Sequence, residues 1–552
     1  MTTLVHPADT LTRDALTVLQ PGFTGTSAPD WLLRRLGEGL ASVGLFGRNI
    51  ASPDQLAALT AELRAEREDL LVAIDEEGGD VTRLEVRGGS SFPGNLALGA
   101  VDDTGLTRDV ARELGRRLAE CGVNLNWAPS ADVNSNPSNP VIGVRSFGAD
   151  PQLVARHTAA YVEGLQSAGV AACAKHFPGH GDTAVDSHHD LPRIAADLRT
   201  LQERELVPFR AAITAGTKAV MSAHILLPAL DGTLPATLSR DVLTGLLRAP
   251  VAEGGLGFDG LIVTDGMEMR AISATYGIER GSVLAIAAGA DAICVGGGLA
   301  DEATVLRLRD ALVRAVRDGE LSEKRLADAA ARVRALARWT RSAGAAQGTL
   351  SGERGVAPAP EAGLVAARRA LRVTRNGAYE PLRAPAYVAA FTPVANIAVG
   401  DETPWGVAAE LARLLPGTET GAYGGGAGTG GGAAGAAGAA GAGTAGGGVA
   451  EAGGAGAGGP VSGGAGGVPD VSGQIAEVLR AAGERRIVAV VRDAHRHAWM
   501  AGALDALLDA RPDTIVVEMG LPQAPPRGAL HIATHGAARV CGRAAAEVIA
   551  GG

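Results

Sequence analysis

Along the first 345 or so residues, two hydrophobic periodicities take turns. Short apolar runs bounded by Gly, Pro or charged residues are separated by longer stretches with an apolar residue every third or fourth position. The short runs Val43–Phe46, Leu70–Ile74, Leu125–Trp127, Val170–Ala174, Ala219–Ser222, Gly260–Val263 and Ala292–Val295 read as buried strands, with an eighth near Gly22–Thr24. The longer stretches Pro53–Glu68, Arg108–Cys121, Gln152–Ala168, Ala196–Ala215 and Ala303–Asp318 read as helices. Repeated strand–helix alternation predicts a parallel sheet, and eight such units suit an α/β fold of the closed (β/α)8 TIM-barrel kind. Periodicity alone leaves a doubly wound open sheet possible.

The pattern changes further on. A strand at Ala386–Thr392 and a helix over Trp405–Leu415 come before a tract, 421–467, that is almost entirely Gly and Ala; strands at Arg486–Val491 and Thr514–Glu518 come after it. Such a tract offers too little apolar side chain to offset its ordering entropy and is expected to be disordered. The organisation that follows is a barrel over 1–345, a smaller C-terminal α/β domain built from 346–420 and 468–552, and a disordered insertion over 421–467. Asp493, His495 and His497, just past one of the later strands, read as a solvated loop.

Composition narrows the function. At 552 residues the chain is long for one core, and its net charge of -10 argues against nucleic acid as a partner. No apolar run reaches membrane-spanning length, and the N-terminus has no basic region followed by an apolar stretch, so a cytoplasmic location is expected. Cys121, Cys173, Cys294 and Cys541 form no CxxC pair, which suits buried thiols in a reducing compartment. The sequence does not indicate an oligomeric state.

The chemistry concentrates in Lys175–Pro192, KHFPGHGDTAVDSHHDLP, which holds four of the 11 histidines and one of three lysines. Charged or polar residues follow four of the strands: Asp75, then Lys175 and His176, then His224, then Asp265. In a barrel these would ring one mouth, where such folds keep their active sites. Asp265, at the end of a buried strand and before a Gly, suits a nucleophile that needs a fixed line of attack, or else an N-cap for a helix starting near Glu268. In Asp186-Ser187-His188, the carboxylate can orient an imidazole that gives and takes a proton near neutrality. Together they would divide labour as in a retaining glycosidase, with an imidazole where a second carboxyl group is usual. Gly179 and Gly181 would supply backbone freedom for this loop to close over a sugar. The histidine spacings match no HExxH or facial-triad pattern, so neither metal nor other cofactor is expected.

The motifs IDEEGGDVTRL, APSADVN, IGVRSFG, KHFPGHG-x-x-x-x-DSH, PATLS and TDGMEM, in that order over about residues 15–345, resemble glycoside hydrolase family 3, specifically its NagZ-type β-N-acetylglucosaminidases. The resemblance implies Asp265 as nucleophile, Asp186–His188 as acid/base dyad, and sugar-binding roles for Asp75, Arg83, Arg145, Lys175 and His176. It implies a retaining exo-β-N-acetylglucosaminidase that takes terminal GlcNAc from muropeptides or short chitin fragments. Asp80 departs from the family pattern, which commonly has Arg after the Gly pair, and so leaves the leaving-group preference open. Phosphorolysis through the same intermediate and a family 3 β-glucosidase are the enzymatic alternatives. A metal hydrolase and a saccharide-binding protein without catalysis are the readings from other classes.

Overall fold

The computed structural model describes residues 9–187, 190–299, 301–353, 361–376, 379–393, 399, 403–424 and 470–551, with backbone alone for 345–353. Its first part is a (β/α)8 barrel. The strands are β1 (Leu19–Pro21), β2 (Ser42–Leu45), β3 (Leu71–Ile74), β4 (Leu125–Asn126), β5 (Ala171–Phe177), β6 (Ala219–Ser222), β7 (Leu261–Thr264) and β8 (Ile293–Val295). β2 to β7 pair in chain order and in parallel, and β1 pairs in parallel with β8. Thr264 N donates to Ala292 O (3.0 Å) on the way from β7 to β8, and Ser42 Oγ donates to Leu19 O (3.1 Å) to tie β2 to β1.

The continuous apolar runs are explained by burial on both faces. Alternate residues point opposite ways along a strand. Leu71 and Ala73, Ala171 and Cys173, and Leu261 and Val263 pack with one another inside the barrel. Their neighbours Val72, Ile74, Ala172, Ala174 and Ile262 join the larger core against the outer helices. Trp127 also lies inside, and its ring is so close to Gly44 that a Cβ there would sit 2.8 Å from it. Helix Glu323–Glu353 closes the end where strands begin: Val333, Leu336 and Ala337 join the interior cluster, and Asn124, just before β4, donates to Thr340 Oγ1 (3.3 Å). This helix runs past residue 345.

Two expectations change here. The first strand is Leu19–Pro21, not Gly22–Thr24. Leu19 is the buried apolar residue that faces Ile293, whereas the Phe23 carbonyl is taken by the side chains of Arg48 and Asn49. The stretch 196–215 is not one uniform helix: Leu198–Thr200 passes through a wider π-helical turn, Leu201–Glu205, into Leu206–Thr214.

The later part builds a second sheet from β9 (Arg372–Arg375), β10 (Tyr387–Thr392), β11 (Glu419–Gly424), β12 (Ile487–Val491), β13 (Ile515–Glu518) and β14 (Leu530–Ala533). Its order is β11-β10-β12-β13-β14-β9, parallel except for β9 at the edge. Val388, Val490, Val517 and Ile532 face a layer that includes helix Arg539–Ala550, and Ala389, Ala489 and Val491 face helices Val471–Ala482 and Ala498–Ala510. The Gly/Ala tract therefore begins as a strand. Gly421–Gly424 pair with Ala389–Thr392, anchored by Tyr423, which is buried against Phe391 and shares a hydroxyl hydrogen bond with Tyr387 (2.7 Å). The rest of the tract, 425–467, lies outside the described residues.

The second sheet docks on the loop that follows β3. Asp80 of that loop pairs with Arg492 and accepts from Ala537 N (2.7 Å). Arg539 Nε donates to Gly89 O (3.2 Å) and Val540 N to Ser90 O (3.2 Å). The stretch read as a solvated loop takes part in this contact, since His495 Nε2 donates to Pro137 O (3.0 Å), while the Asp493 carboxylate accepts from Leu521 N (2.7 Å) within the second part. Asp80 is thus an interdomain contact, which accounts for an acid at this position.

Candidate active site

β3 and β5 end in a buried ion network. Lys175 Nζ lies 2.5 Å from Asp75 Oδ1 and 2.7 Å from Glu77 Oε1, and Arg145 grips Glu77 through Nε (3.0 Å) and Nη2 (2.6 Å). Arg83 Nη2 stands 3.6 Å from Asp75 Oδ2. Burial alone would pull the Lys175 pKa down, but the charges of Asp75 and Glu77 outweigh it and push the ammonium above its ordinary value. Burial would raise Glu77; Arg145 and Lys175 reverse that and hold its carboxyl far below the usual range. Glu77 and the two buried cations therefore keep one another ionised, and the ion pairs fix all four side chains in direction.

Glu77 is the main residue that the sequence reading passes over. Its signal is the run Asp75-Glu76-Glu77 at a strand end, where alternation aims the first and third side chains the same way. Glu76 turns the other way and accepts from the backbone of Arg83 (2.7 Å) and Leu84 (2.8 Å), with burial pushing its pKa up to about 7. Gly78 and Gly79, at φ +76° and +66°, let the chain reverse after the acids. A Cβ on Gly79 would come within 2.4 Å of Gly94 Cα.

His176 is oriented by Asp132, a second residue missed although its motif was noticed. His176 Nδ1 hydrogen-bonds Asp132 Oδ2 (2.7 Å), which leaves Nε2 toward the cleft, 3.4 Å from Arg145 Nη2. Asp132 also accepts from Ser130 Oγ (3.0 Å), His176 N (3.2 Å) and His180 N (2.7 Å). Burial would raise this carboxyl, but His176 foremost and His180 hold it at about 2. Burial pushes His180 down to about 4, so its ring is neutral, with Nδ1 on Thr183 (2.9 Å) and a buried Nε2 at the cleft wall without a partner among the described residues. Asp182 pairs with Arg204 (2.7 Å) and shapes the loop.

Asp265 ends β7. Its backbone N donates to Ser222 O (3.1 Å) and its Oδ1 accepts from Gly266 N (2.8 Å). His224, at the end of β6, donates from Nε2 to Gly266 O (3.0 Å), so it clamps the peptide beside Asp265. Asp75, Arg83, Arg145, Lys175, His176 and Asp265 all line one cleft of about 570 Å³ at the barrel mouth. Trp127, Arg48 and Glu268 line it too, and the Trp127 Nε1 and one Glu268 oxygen are buried without partners among the described residues. Trp127 ends a predicted strand and Glu268 lies in the TDGMEM motif, but the sequence reading gave none of the three a role in the site. The chemical character of the cleft is a fixed carboxylate facing oriented donors and acceptors, the directional array that a polyhydroxylated ring requires.

The dyad is only partly in view. Ser187 lines the cleft and its carbonyl accepts from Ala271 N (3.2 Å), and Asp186 lines an adjoining cavity toward the second sheet. His188 and His189 lie outside the described residues. Gly179 and Gly181, expected to supply backbone freedom, also sit where a Cβ does not fit. A Cβ on Gly181 would lie 1.7 Å from Val133 O and one on Gly179 2.7 Å from the Glu205 carboxylate. These glycines serve close packing, and Gly179, at φ +128°, also holds a backbone conformation that side chains rarely adopt.

Comparison with known proteins agrees with this cleft. A β-hexosaminidase from Thiobacillus denitrificans is 40% identical over 288 residues, covering 50% of this chain and 78% of that protein. β-Hexosaminidase A from Pseudoalteromonas piscicida is 35% identical over 317 residues, 53% of this chain but only 52% of its own length. The structure of a glycoside hydrolase family 3 β-N-acetylglucosaminidase from Paenibacillus sp. str. FPU-7 superposes with a TM-score of 0.79 at 34% identity, over 99% of this chain and 97% of that one. Residues 33–336 match the glycosyl hydrolase family 3 N terminal domain. That match takes in every cleft residue from Asp75 to Asp265 and more than half of the sequence, so the chain belongs to glycoside hydrolase family 3.

Proposed function

We propose that the protein is a retaining exo-β-N-acetylglucosaminidase that releases terminal non-reducing GlcNAc from short chitin fragments or peptidoglycan-derived muropeptides. The observation that carries this reading is Asp265, whose carboxylate accepts from Gly266 N while His224 clamps the Gly266 carbonyl, sharing one cleft with Asp75, Lys175 and Arg145 of the buried ion network. In this reading Asp75 accepts from sugar hydroxyls while Lys175 and Arg145, held in place by Glu77, donate to them. Their mutual ion pairs fix the ring relative to Asp265 with no reorganisation at the moment of reaction. Asp265 attacks the anomeric carbon as His188, oriented by Asp186, protonates the departing oxygen. The imidazole then takes a proton from water, which displaces Asp265 and restores the original anomer. The β-hexosaminidase names of the relatives and the β-N-acetylglucosaminidase title of the Paenibacillus structure support an N-acetylhexosaminide as substrate.

Turnover of aryl β-GlcNAc and aryl β-glucoside, each with and without phosphate, tests the reading. Faster release from the GlcNAc glycoside, independent of phosphate and with β-GlcNAc as first product by NMR, supports it. A sugar phosphate product would make the enzyme a phosphorylase, and preference for the glucoside would make it a glucosidase.

A further inference from the structure

A second cavity, of about 400 Å³, opens between the barrel mouth and the strand ends of the C-terminal sheet and shares Val141 and Arg145 with the catalytic cleft. Its position follows from topology. From β10 the chain moves outward to β11 and then returns across β10 to β12, so the ends of β10 and β12 flank a crevice. Open parallel sheets receive ligands at this reversal. Here Thr392 and Arg492 border the crevice and Asp186 lies on its barrel side, so it faces the part of a substrate that leaves.

Its charges are already matched. Arg145 is held by Glu77 in a two-point pair, Arg492 by Asp80, and Arg496 by Asp493 (3.5 Å). Burial pushes the His497 imidazole down, toward its neutral form. Asp186 also lies in the wall. Among the described residues every arginine of the lining thus has a carboxylate partner, and the sequence from Pro393 to Val407 contains no Lys or Arg. Val141, Ile142, Val144 and Trp405 supply apolar wall. An anion entering this space loses hydration and, among the described residues, meets no arginine without a carboxylate partner, whereas a neutral pyranose loses much less.

We propose that this cavity is the leaving-group subsite and that it selects an uncharged saccharide, with Asp80 setting the preference by occupying Arg492. The substrate class is then neutral chito-oligosaccharide. Muramic acid leaving groups are disfavoured, because they carry a lactyl carboxylate or, with a stem peptide attached, the carboxylates of the peptide. This rests on the N-acetylglucosaminidase reading above.

The test uses the full chain and three disaccharides with the same terminal GlcNAc: one on GlcNAc, one on MurNAc, and one on MurNAc whose lactyl carboxyl is a methylamide. The two neutral compounds should agree within threefold in kcat/KM. The free acid should fall at least tenfold below the amide, mainly in KM, with the gap narrowing in 0.5 M salt. Equal values for acid and amide, or preference for the acid, overturn the proposal, and an amide as poor as the acid assigns the exclusion to bulk instead of charge. Asp80→Asn keeps an acceptor for Ala537 N but releases Arg492, and should shrink the acid–amide gap at least threefold. Arg492→Gln should widen it. If neither variant moves the gap, Asp80 is not its source. Turnover of aryl β-GlcNAc by the same preparation separates the cases: without it the N-acetylglucosaminidase reading fails, and with it a missing gap removes only the subsite.

Discussion

Glu77 and Glu518 both lie at the C-terminal ends of buried parallel strands, one at the barrel mouth and one in the second sheet, yet they are used in opposite ways. Glu77 faces Lys175 and Arg145 and stays ionised. Glu518 accepts from the backbone of Asp493 (2.9 Å), Ala494 (3.3 Å) and Gly520 (2.8 Å), and burial with Asp493 nearby pushes its pKa up to about 8. A closed barrel brings all its strand ends around one axis, so side chains from distant strands meet. An open sheet lays its ends in a row, where the nearest partners of an acid are the loops beside it. The same local pattern therefore yields a site in one region and a loop anchor in the other.

The sharpest break in this comparison is Asp265→Ala. With the proposed nucleophile gone, turnover of aryl β-GlcNAc should fall at least roughly a thousandfold while the circular dichroism spectrum is unchanged. Azide should restore part of the rate and give the α-glycosyl azide. Wild-type rates in this variant would remove Asp265 from the mechanism.

Next in size is the contrast between two isosteric changes. Glu77→Gln strands the buried Arg145 and leaves Lys175 with Asp75 alone, and should cost about 3–5 kcal/mol of stability as well as raising KM. Glu518→Gln replaces a neutral acid by a neutral amide and should cost about 1 kcal/mol or less, with activity retained. Urea unfolding of the two variants side by side decides this, and equal losses would mean that Glu518 is ionised after all.

The two acids also predict opposite slopes with pH. The folded-state pKa of Glu518 lies above its unfolded value of 4.5, so its contribution is complete below pH 4.5 and is lost as pH rises toward about 8. Glu77 is depressed, so its contribution is present above pH 4.5 and is lost as pH falls below it. Between pH 5 and 8 the Glu518→Gln variant should lose less stability than the wild type in denaturant titrations. Identical pH dependence would show that Glu518 does not titrate in this window.

The smallest effect is expected from removing residues 426–467 while keeping the strand Glu419–Gly424. Shortening a connection that contributes few apolar side chains should alter stability by less than about 1 kcal/mol and leave kcat/KM unchanged. A larger fall in melting temperature would show that the tract packs.

Much of the barrel was legible because its strands are apolar throughout, and such runs have few alternatives. The first strand was misplaced because Leu19–Pro21 is too short to stand out beside the Gly-rich turn after it. Asp75, Arg83, Arg145, Lys175, His176 and Asp265 were named from motifs, and the fold brings them to one cleft. Asp132 and Glu77 were harder to find because they act through His176, Lys175 and Arg145, and those partners are distant in sequence. Gly179 and Gly181 suggested freedom alone because glycine also marks close approach, and only the surrounding atoms reveal that second role.

The sequence by itself determined the order of strands and helices, the family motifs and the identity of the groups able to do chemistry. These are local properties, written in periodicity and in runs of a few residues. Only the tertiary structure decided which charges meet: that Lys175 is shared between Asp75 and Glu77, that Asp80 is consumed by Arg492 from the second sheet, and that Glu518 faces backbone instead of a cation. A charge interacts through space over several ångströms, without regard to how much chain separates it from its partner. Its role is therefore set by closure of the barrel and docking of the second sheet.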